Sequence, residues 1–203
     1  MKPRRDADAT RLRILDAATV EFASHGLAGA RIDRIAAAAD SNKSMIYTYY
    51  GNKDGLFDAV LEAAFLRVEE AVTFDADDLV TYAVELFDYL REHPDHLRLD
   101  AWRRLERPEP TEVEIERYTD KVGALSERHE NFGKGGRFTA ADVIALVTAL
   151  AGLWESTPLP VARLATQDLD LRRSLVAGSL EVLLRVRANP TYHPHKRDQE
   201  EEA

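Results

Sequence analysis

Helical periodicity of apolar residues runs through almost the whole chain, and it constrains the fold more than any other feature. In the first predicted helix, Leu12, Leu15, Ala18 and Phe22 recur at spacings of three and four residues, which places them on one face of an α-helix. No stretch between turn signals shows the sustained alternation of apolar and polar residues that a half-buried strand requires. The sequence therefore predicts an all-α protein.

Turn residues divide this pattern into three short N-terminal helices and a series of helices after them. We expect a three-helix domain over residues 1–52, a larger helical domain over 53–189 and a disordered tail over 190–203. The first predicted helix starts near Asp8–Thr10 and stops at His25-Gly26, and the fourth starts at Lys53. We expect a flexible loop at 131–137. The other predicted helices cover residues 30–39, 43–50, 77–93, 96–105, 111–129, 139–156 and 170–187.

The N-terminal region has the organisation of a helix-turn-helix. A short helix over 30–39 is followed by Asp40-Ser41, and Asp tolerates the left-handed backbone that a tight turn needs. Asn42 is a good N-cap for the next helix, 43–50. In a helix-turn-helix the second helix enters the major groove of DNA, where base edges are distinguishable.

The second helix of this motif carries side chains that suit contact with DNA. Ile46 and Tyr50 share its inward face, and we expect Ser44, Met45, Thr48 and Tyr49 to project outward, with Tyr47 at the edge. Tyrosine hydroxyls and lysine ammonium groups bind phosphate oxygens, whereas Ser and Thr contact base edges. Lys53 lies at the start of a helix, where backbone N–H groups already favour an anion. The candidate DNA contacts are Lys43, Ser44, Met45, Tyr47, Thr48, Tyr49 and Lys53.

The charge distribution fits a small module that faces an anion. Residues 1–53 hold nine Lys and Arg against six Asp and Glu, whereas residues 54–203 hold 18 basic and 30 acidic residues. The alternative is that the charge difference between the two parts arose by chance, because the counts are small. The chain has no cysteine, which excludes disulfides and thiolate chemistry. Because no apolar signal segment or membrane span is present, we expect a cytoplasmic protein without a membrane partner.

The last two predicted helices are apolar on more than one face. A surface helix needs only one apolar stripe, so 139–156 and 170–187 must bury a second face. Two helices from each of two chains would form a four-helix bundle, so we predict a homodimer through these segments. The alternative is that both are central helices of a monomer.

Residues 10–57 resemble the DNA-binding domain of the TetR family of transcriptional regulators. The matching segments are ILDAATVEFASHG (14–26), ARIDRIAAAAD (30–40) and NKSMIYTYYGNKDGLF (42–57). The turn reads Asp40-Ser41 where the family usually has Gly-Val. The helical remainder, ending in two apolar helices, is similar in architecture to the family's ligand-binding and dimerisation domain.

This resemblance implies a dimeric regulator, usually a repressor, that binds a palindromic double-stranded DNA operator. Carried over residue by residue, it supports the same DNA contacts and adds Arg31 and Arg34, on the preceding helix, as weaker candidates. A small-molecule effector entering the larger domain would shift the fourth helix, so that the two recognition helices no longer match adjacent major grooves. The effector itself is unknown. Candidate effector contacts in the larger domain are Phe65, Tyr82, Phe87, Tyr89, His96, Trp102, Tyr118 and Trp154, of which Trp102 and Trp154 are the strongest because large aromatics dominate pocket walls.

No motif in the sequence indicates catalysis, a cofactor or a metal. There is no nucleophile elbow, P-loop or dinucleotide glycine motif. His93 and His96 have a metal-ligand spacing, but Pro94 interrupts the helix between them, and His193 and His195 in the tail are no better. We predict no enzymatic activity and no cofactor. Two other classes stay open: an enzyme with carboxylates hidden in a helical bundle, and a small-molecule carrier that keeps the fold without the DNA role.

Overall fold

The computed structural model describes residues 3–128 and 138–185, and every regular element in these ranges is an α-helix. The predicted all-α fold is confirmed. The helices are α1 (Pro3–Gly29), α2 (Ile32–Ala38), α3 (Lys43–Tyr50), α4 (Lys53–Ala71), α5 (Leu79–Glu92), α6 (Pro94–Glu106), α7 (Glu112–Arg128), α8 (Ala140–Ala151), α9 (Leu153–Ser156), α10 (Leu159–Leu164) and α11 (Leu169–Arg185). Several predicted segments lie wholly or partly outside the described residues. They are the loop 131–137, the tail 190–203 with His193 and His195, residue 129 of the helix 111–129, and the C-terminal ends of the segments 53–189 and 170–187.

The first helix differs from its prediction at both ends. It begins at Pro3 rather than near Asp8, and Gly26 is a kink inside it rather than its end. Gly26 does take the left-handed backbone, with φ 67°. The helix resumes after the kink because the carboxylate of Glu106 accepts hydrogen bonds from the backbone N–H groups of Leu27 and Ala28.

The N-terminal core is larger than residues 1–52. Phe22 of α1 packs edge-to-face on Phe57 of α4, with ring centroids 5.0 Å apart. Val60 of α4 and Leu99 of α6 are also fully buried in this core. The first two turns of α4 therefore belong to the same packing unit as α1, α2 and α3, and the predicted boundary at residue 52 passes through the contacts that hold it together.

A second core lies between α5, α7, α8 and α11. Its buried apolar side chains come mainly from α5 and α8. Thr139 and Asp142 form a reciprocal capping box at the start of α8, which satisfies two backbone donors of its first turn. The predicted helix 139–156 is two helices in the structure: α8 ends at Ala151, with Gly152 as its C-cap, and the short α9 follows it. Among the described residues, no helix is long and apolar enough to cross a bilayer.

Candidate nucleic-acid interface and effector region

The turn between α2 and α3 forms without the glycine that is usual there. Asp40 takes the left-handed backbone with φ 47°. The N–H of Ser41 donates to the carbonyl of Ala36 at 2.9 Å, and the N–H of Asp40 donates to that of Ala37 at 3.3 Å. This pair of bonds is a Schellman motif, which satisfies the last carbonyls of a helix. The chain therefore leaves α2 in a fixed direction toward α3.

The start and inner face of α3 are as predicted. The side chain of Asn42 accepts a hydrogen bond from the N–H of Met45 at 2.9 Å. Ile46 has no exposed surface and anchors the helix in the N-terminal core. Tyr50 donates its hydroxyl to the carbonyl of Arg11 at 3.1 Å, and the Arg11 guanidinium lies 5.5 Å from the Tyr50 ring centroid. Since these contacts hold one face of α3, the opposite face is the one presented outward.

Four of the predicted DNA contacts share this outward face. Lys43, Ser44, Tyr47 and Thr48 are all exposed, and Tyr47 keeps 47% of its surface accessible although it is aromatic. Their positions repeat after four residues, which is one helical turn. The other two candidates on α3, Met45 and Tyr49, do not project outward as predicted, because both are half-buried against the core.

Three of the candidate DNA contacts already have partners within the chain. Lys43 forms an ion pair with Asp33 of α2, and this lysine holds the pKa of the Asp33 carboxyl below its usual value. The hydroxyl of Thr48 donates to the carbonyl of Ser44 at 2.8 Å, which leaves its methyl group outward. The ammonium of Lys53 donates to the carbonyl of Ala28 at 3.1 Å.

The other candidates, Arg31 and Arg34, surround a carboxylate that the sequence did not single out. Glu21 of α1 is buried, and it accepts hydrogen bonds from the backbone N–H of Arg31 and from Nε of Arg34, both at 2.8 Å. Burial raises the pKa of Glu21, but the bonds from Arg34 and Arg31 outweigh it and lower the pKa on balance. Arg34 thus fixes α2 on α1, whereas the Arg31 side chain stays exposed.

The end of α3 is tightly coupled to the start of α4. A Cβ at Gly55 would lie 2.3 Å from the carbonyl oxygen of Tyr50, so only glycine allows this approach. Asn52 caps α4 by accepting the N–H of Gly55 at 2.8 Å. A displacement of α4 therefore moves the end of α3 with it.

Helix α6 joins the N-terminal core to the rest of the chain. Trp102 donates its indole N–H to the carbonyl of Ala23 at 3.2 Å. Glu106 accepts from the N–H of Ala28 at 3.1 Å. Next to it, Arg107 pairs with Asp58 of α4 at 3.2 Å. Sequence reasoning missed Glu106 and Arg107, because their partners lie far away along the chain.

The predicted effector residues do not form one site but lie in separate clusters. Phe65, Tyr82 and Tyr118 meet between α4, α5 and α7, around the ammonium of Lys121. Phe87 and Trp154 form a pair with centroids 5.3 Å apart, and the Arg172 guanidinium lies 5.1 Å from the Trp154 ring. Trp102, the other strong candidate, lies apart from this pair and packs on α1, where its indole N–H donates to the carbonyl of Ala23.

Tyr89 and His96 form the third place, together with His93. The Tyr89 hydroxyl lies 3.3 Å from Nδ1 of His96, and the two histidine rings have centroids 5.7 Å apart. Burial, with smaller contributions from His93 and Arg67, lowers the pKa of His96 to about 4. Within the described ranges, no three His, Cys, Asp or Glu residues come together as a metal site.

A groove of about 360 Å³ opens between α1 and α4, beside the N-terminal core. None of the eight predicted effector residues lines it. Its lining residues are Asp8, Arg11, Leu12, Leu15, Tyr50, Ala59, Glu62, Ala63 and Leu66.

The last helices carry an apolar surface without cover from the described part of the chain. On α11, Leu171, Leu175 and Val182 are each more than half exposed, and they follow one another at helical spacing. Gly178 lies in the same stripe, and a Cβ there would meet nothing within 4 Å. The inner face of α11 is buried through Val176 and Leu180. The prediction that this helix is apolar on two faces is therefore confirmed.

The second helix of the helix-turn-helix faces outward, and a separate helical core lies beside the motif. This arrangement is that of a DNA-binding protein of the helix-turn-helix class. Comparison with known proteins makes the class specific. Residues 14–60 match the family described as bacterial regulatory proteins, tetR family, and residues 78–180 match the tetracyclin repressor-like C-terminal domain. The chain belongs to the TetR family.

Similar proteins of known sequence or structure agree with this assignment. The HTH-type transcriptional repressor SCO4008 of Streptomyces coelicolor is 44% identical over 151 residues, which cover 72% of this chain and 79% of the relative. The HTH-type transcriptional repressor NicS of Pseudomonas putida is 38% identical over 106 residues, covering 49% of this chain and 50% of the relative. The crystal structure of SCO4942 from Streptomyces coelicolor, described as a transcriptional regulator, is 33% identical. It has a TM-score of 0.75 and covers 86% of this chain and 97% of that one.

Proposed function

We propose that this protein is a ligand-responsive repressor that binds a palindromic operator as a dimer and releases it when a small molecule binds the larger domain. The observation that carries the proposal is the outward face of α3, where Lys43, Ser44, Tyr47 and Thr48 are exposed while Ile46 anchors the opposite face. Lysine and tyrosine on such a face suit phosphates, and serine and threonine suit base edges. The two curated relatives are named as repressors, which supports that direction of control.

The dimer would form through α8 and α11. The exposed stripe of α11 contains Leu171, Leu175 and Val182, and such a contiguous apolar surface needs a partner. The exposed side of α8 carries small residues, Ala141, Ala145 and Ala149, which allow two helices to approach closely. A symmetric dimer would then hold two copies of α3 at a fixed spacing, as a palindromic operator requires.

The effector signal would pass through α4 and α6 together. Helix α4 reaches α3 through the close contact of Gly55 with Tyr50. Helix α6 reaches α1 through Trp102 and Glu106, and it reaches α4 through Arg107. An effector that prefers the non-binding arrangement by about 2.7 kcal/mol would lower operator affinity a hundredfold.

A gel-shift assay with the DNA that flanks the gene tests the proposal. We expect specific binding that weakens steeply with salt, since phosphate contacts release counterions. Thr48→Ala should change the preference among operator variants more than the overall affinity. Lys53→Ala should weaken binding on all sequences about equally and lower the salt slope by about one. The proposal is wrong if both variants give the wild-type footprint, or if no salt-sensitive specific complex forms, as expected for an enzyme or a carrier.

A further inference from the structure

Four aromatic rings surround one ammonium group in the larger domain. Nζ of Lys121 lies 5.6 Å from the ring centroid of Tyr118, 5.7 Å from that of Phe65 and 5.8 Å from those of Phe74 and Tyr82. The rings form two pairs, Phe65 with Tyr118 and Phe74 with Tyr82, with centroids 5.8 Å and 5.1 Å apart. We refer to these four rings as the aromatic box.

The lysine inside the aromatic box is nearly buried. Only 11% of the Lys121 side chain is accessible, and its carboxylate partner among the described residues is Glu69 of α4, at 3.2 Å. Glu69 is 20% accessible and also pairs with Arg117 of α7 at 3.6 Å. Lysine is among the residues that are least often buried, because its ammonium is strongly hydrated. The rings and Glu69 together must therefore replace the water that this ammonium has lost. The site is built to hold a cation.

We propose that the aromatic box binds an organic cation, which takes the place of the Lys121 ammonium and uses Glu69 as its counterion. The proposal rests on the proposed function, because it names the chemical class of the effector. Attraction between a cation and an aromatic face extends to about 6 Å from the ring centroid. The ammonium lies near that limit from all four rings, so it occupies the centre of the box without contacting any one face closely. A bulkier cation, such as a quaternary ammonium, would fill the same centre better.

The chemistry of the box disfavours other ligand classes. The faces of aromatic rings carry the negative end of a quadrupole, so they repel an anion even though Lys121 and Arg117 lie nearby. Burial raises the pKa of Tyr82, so this ring stays neutral at pH 7. Tyr118 keeps 41% of its surface accessible. A neutral ligand that displaced the lysine would leave Glu69 with Arg117, at 3.6 Å, and without the closer of its two ion pairs. Loss of a partner from a largely buried carboxylate is costly.

The position of the box connects it to the proposed signal. Phe65 and Glu69 are on α4, Tyr82 is on α5, and Tyr118 and Lys121 are on α7. Two ion pairs join α7 to Glu69 on α4, one from Lys121 and one from Arg117, and displacing the lysine breaks the closer of them. Since α4 also carries Gly55 against the end of α3, exchange of one cation for another changes the restraints on the helix that positions the recognition helix.

Isothermal titration of the full-length protein without DNA tests the proposal. The ligand pair is phenyltrimethylammonium and its neutral isostere tert-butylbenzene, which differ by one charged nitrogen. We expect the wild type to prefer the cation by about tenfold. Lys121→Ala should increase this preference, since the internal competitor is gone. Glu69→Gln should remove most of it, whereas the control Glu70→Gln, the same change at the exposed neighbour, should leave it intact.

The proposal is overturned if the wild type and Lys121→Ala bind both ligands equally, or if the two glutamate variants behave alike. Thermal melts show whether each variant folds, and Lys121→Gln replaces Lys121→Ala if the smaller side chain destabilises the box. The result is separable from the proposed function. A specific operator complex without cation binding would overturn only this inference, whereas cation binding without any operator complex would support the box and contradict the proposed function.

Discussion

The indole of Trp102 on α6 fits directly against Gly26, at the point where α1 is kinked. A Cβ at Gly26 would lie 2.7 Å from Cε3 of Trp102, which is well inside van der Waals contact. The backbone of Gly26 is also left-handed, with φ 67°. Glycine is therefore required there for two reasons. Its backbone is left-handed, and only the absence of a side chain leaves room for the Trp102 indole.

Gly26→Ala should destabilise the protein by about 1–3 kcal/mol, because alanine adds a strained backbone and a clash with Trp102. Chemical denaturation, followed by circular dichroism and tryptophan fluorescence, measures this loss. Gly123→Ala on α7 is the matched control. A Cβ there meets nothing within 4 Å, so it should be neutral or stabilising by up to about 1 kcal/mol. Equal stability of Gly26→Ala and the wild type would contradict the packing described here.

Asp33→Asn should strengthen operator binding several-fold at low salt. The carboxylate of Asp33 holds the Lys43 ammonium in the free protein, and it places a negative charge beside the surface that would face phosphates. Removing this charge frees Lys43 and lessens repulsion, and both effects weaken as salt screens them. Fluorescence anisotropy with operator DNA across a salt series measures the change. Asp120→Asn on the exposed side of α7 removes the same charge far from α3. An equal gain in that control would indicate a net-charge effect and no local one.

Leu175→Glu should convert a dimer into a monomer. Leu175 lies in the exposed apolar stripe of α11, and a buried, unpaired carboxylate in a symmetric interface would occur twice. Sedimentation velocity measures the oligomeric state. Leu105→Glu is the control, since Leu105 is 77% exposed on α6, away from this stripe. A wild-type monomer, or a Leu175→Glu variant that stays dimeric at low concentration, would be evidence against an interface on α11.

The recognition region could be predicted from the sequence because its structure follows local rules. Asp40 supplies the left-handed turn residue, Asn42 supplies the cap, and Ile46 is the apolar residue at the right spacing to anchor α3. Each of these contacts spans only a few residues along the chain. The short-range pattern therefore predicts the buried anchor of α3, but it places Met45 and Tyr49 outward, whereas both pack against the core.

The effector region could not be predicted in the same way, because its contacts are long-range. An aromatic residue in a helical pattern indicates burial but does not say which other helix it meets. Trp102 and Trp154 looked equivalent in the sequence, yet the first packs on Ala23 of α1 and the second on Phe87 of α5. Lys121 was missed for a related reason, since a lysine on an amphipathic helix is normally exposed. Only the packing of α7 on α4 and α5 shows that its ammonium is enclosed.

The last prediction concerns acid sensitivity and depends on His96 at the start of α6. Burial lowers its pKa from 6.5 to about 4, and His93 and Arg67 add to this effect while Asp95 opposes it. Between pH 4 and pH 6.5, His96 therefore binds more protons in the unfolded chain than in the folded one. Stability rises with pH wherever the unfolded state binds more protons. The contribution of His96 is thus fully present above pH 6.5 and is lost as the pH falls toward 4.

His96→Gln should make the free energy of unfolding less dependent on pH between 6.5 and 5, because glutamine cannot take up a proton in that window. Urea denaturation at several pH values in this range measures the slope, which avoids the lower pH at which carboxylates also titrate. His25→Gln on α1, where the side chain is about half exposed, is measured alongside, so that a change of slope specific to position 96 can be told from the loss of a histidine in general. If His96→Gln kept the full slope as well, the acid sensitivity would belong to other groups, because a histidine buried in the neutral form must charge when the chain unfolds in acid.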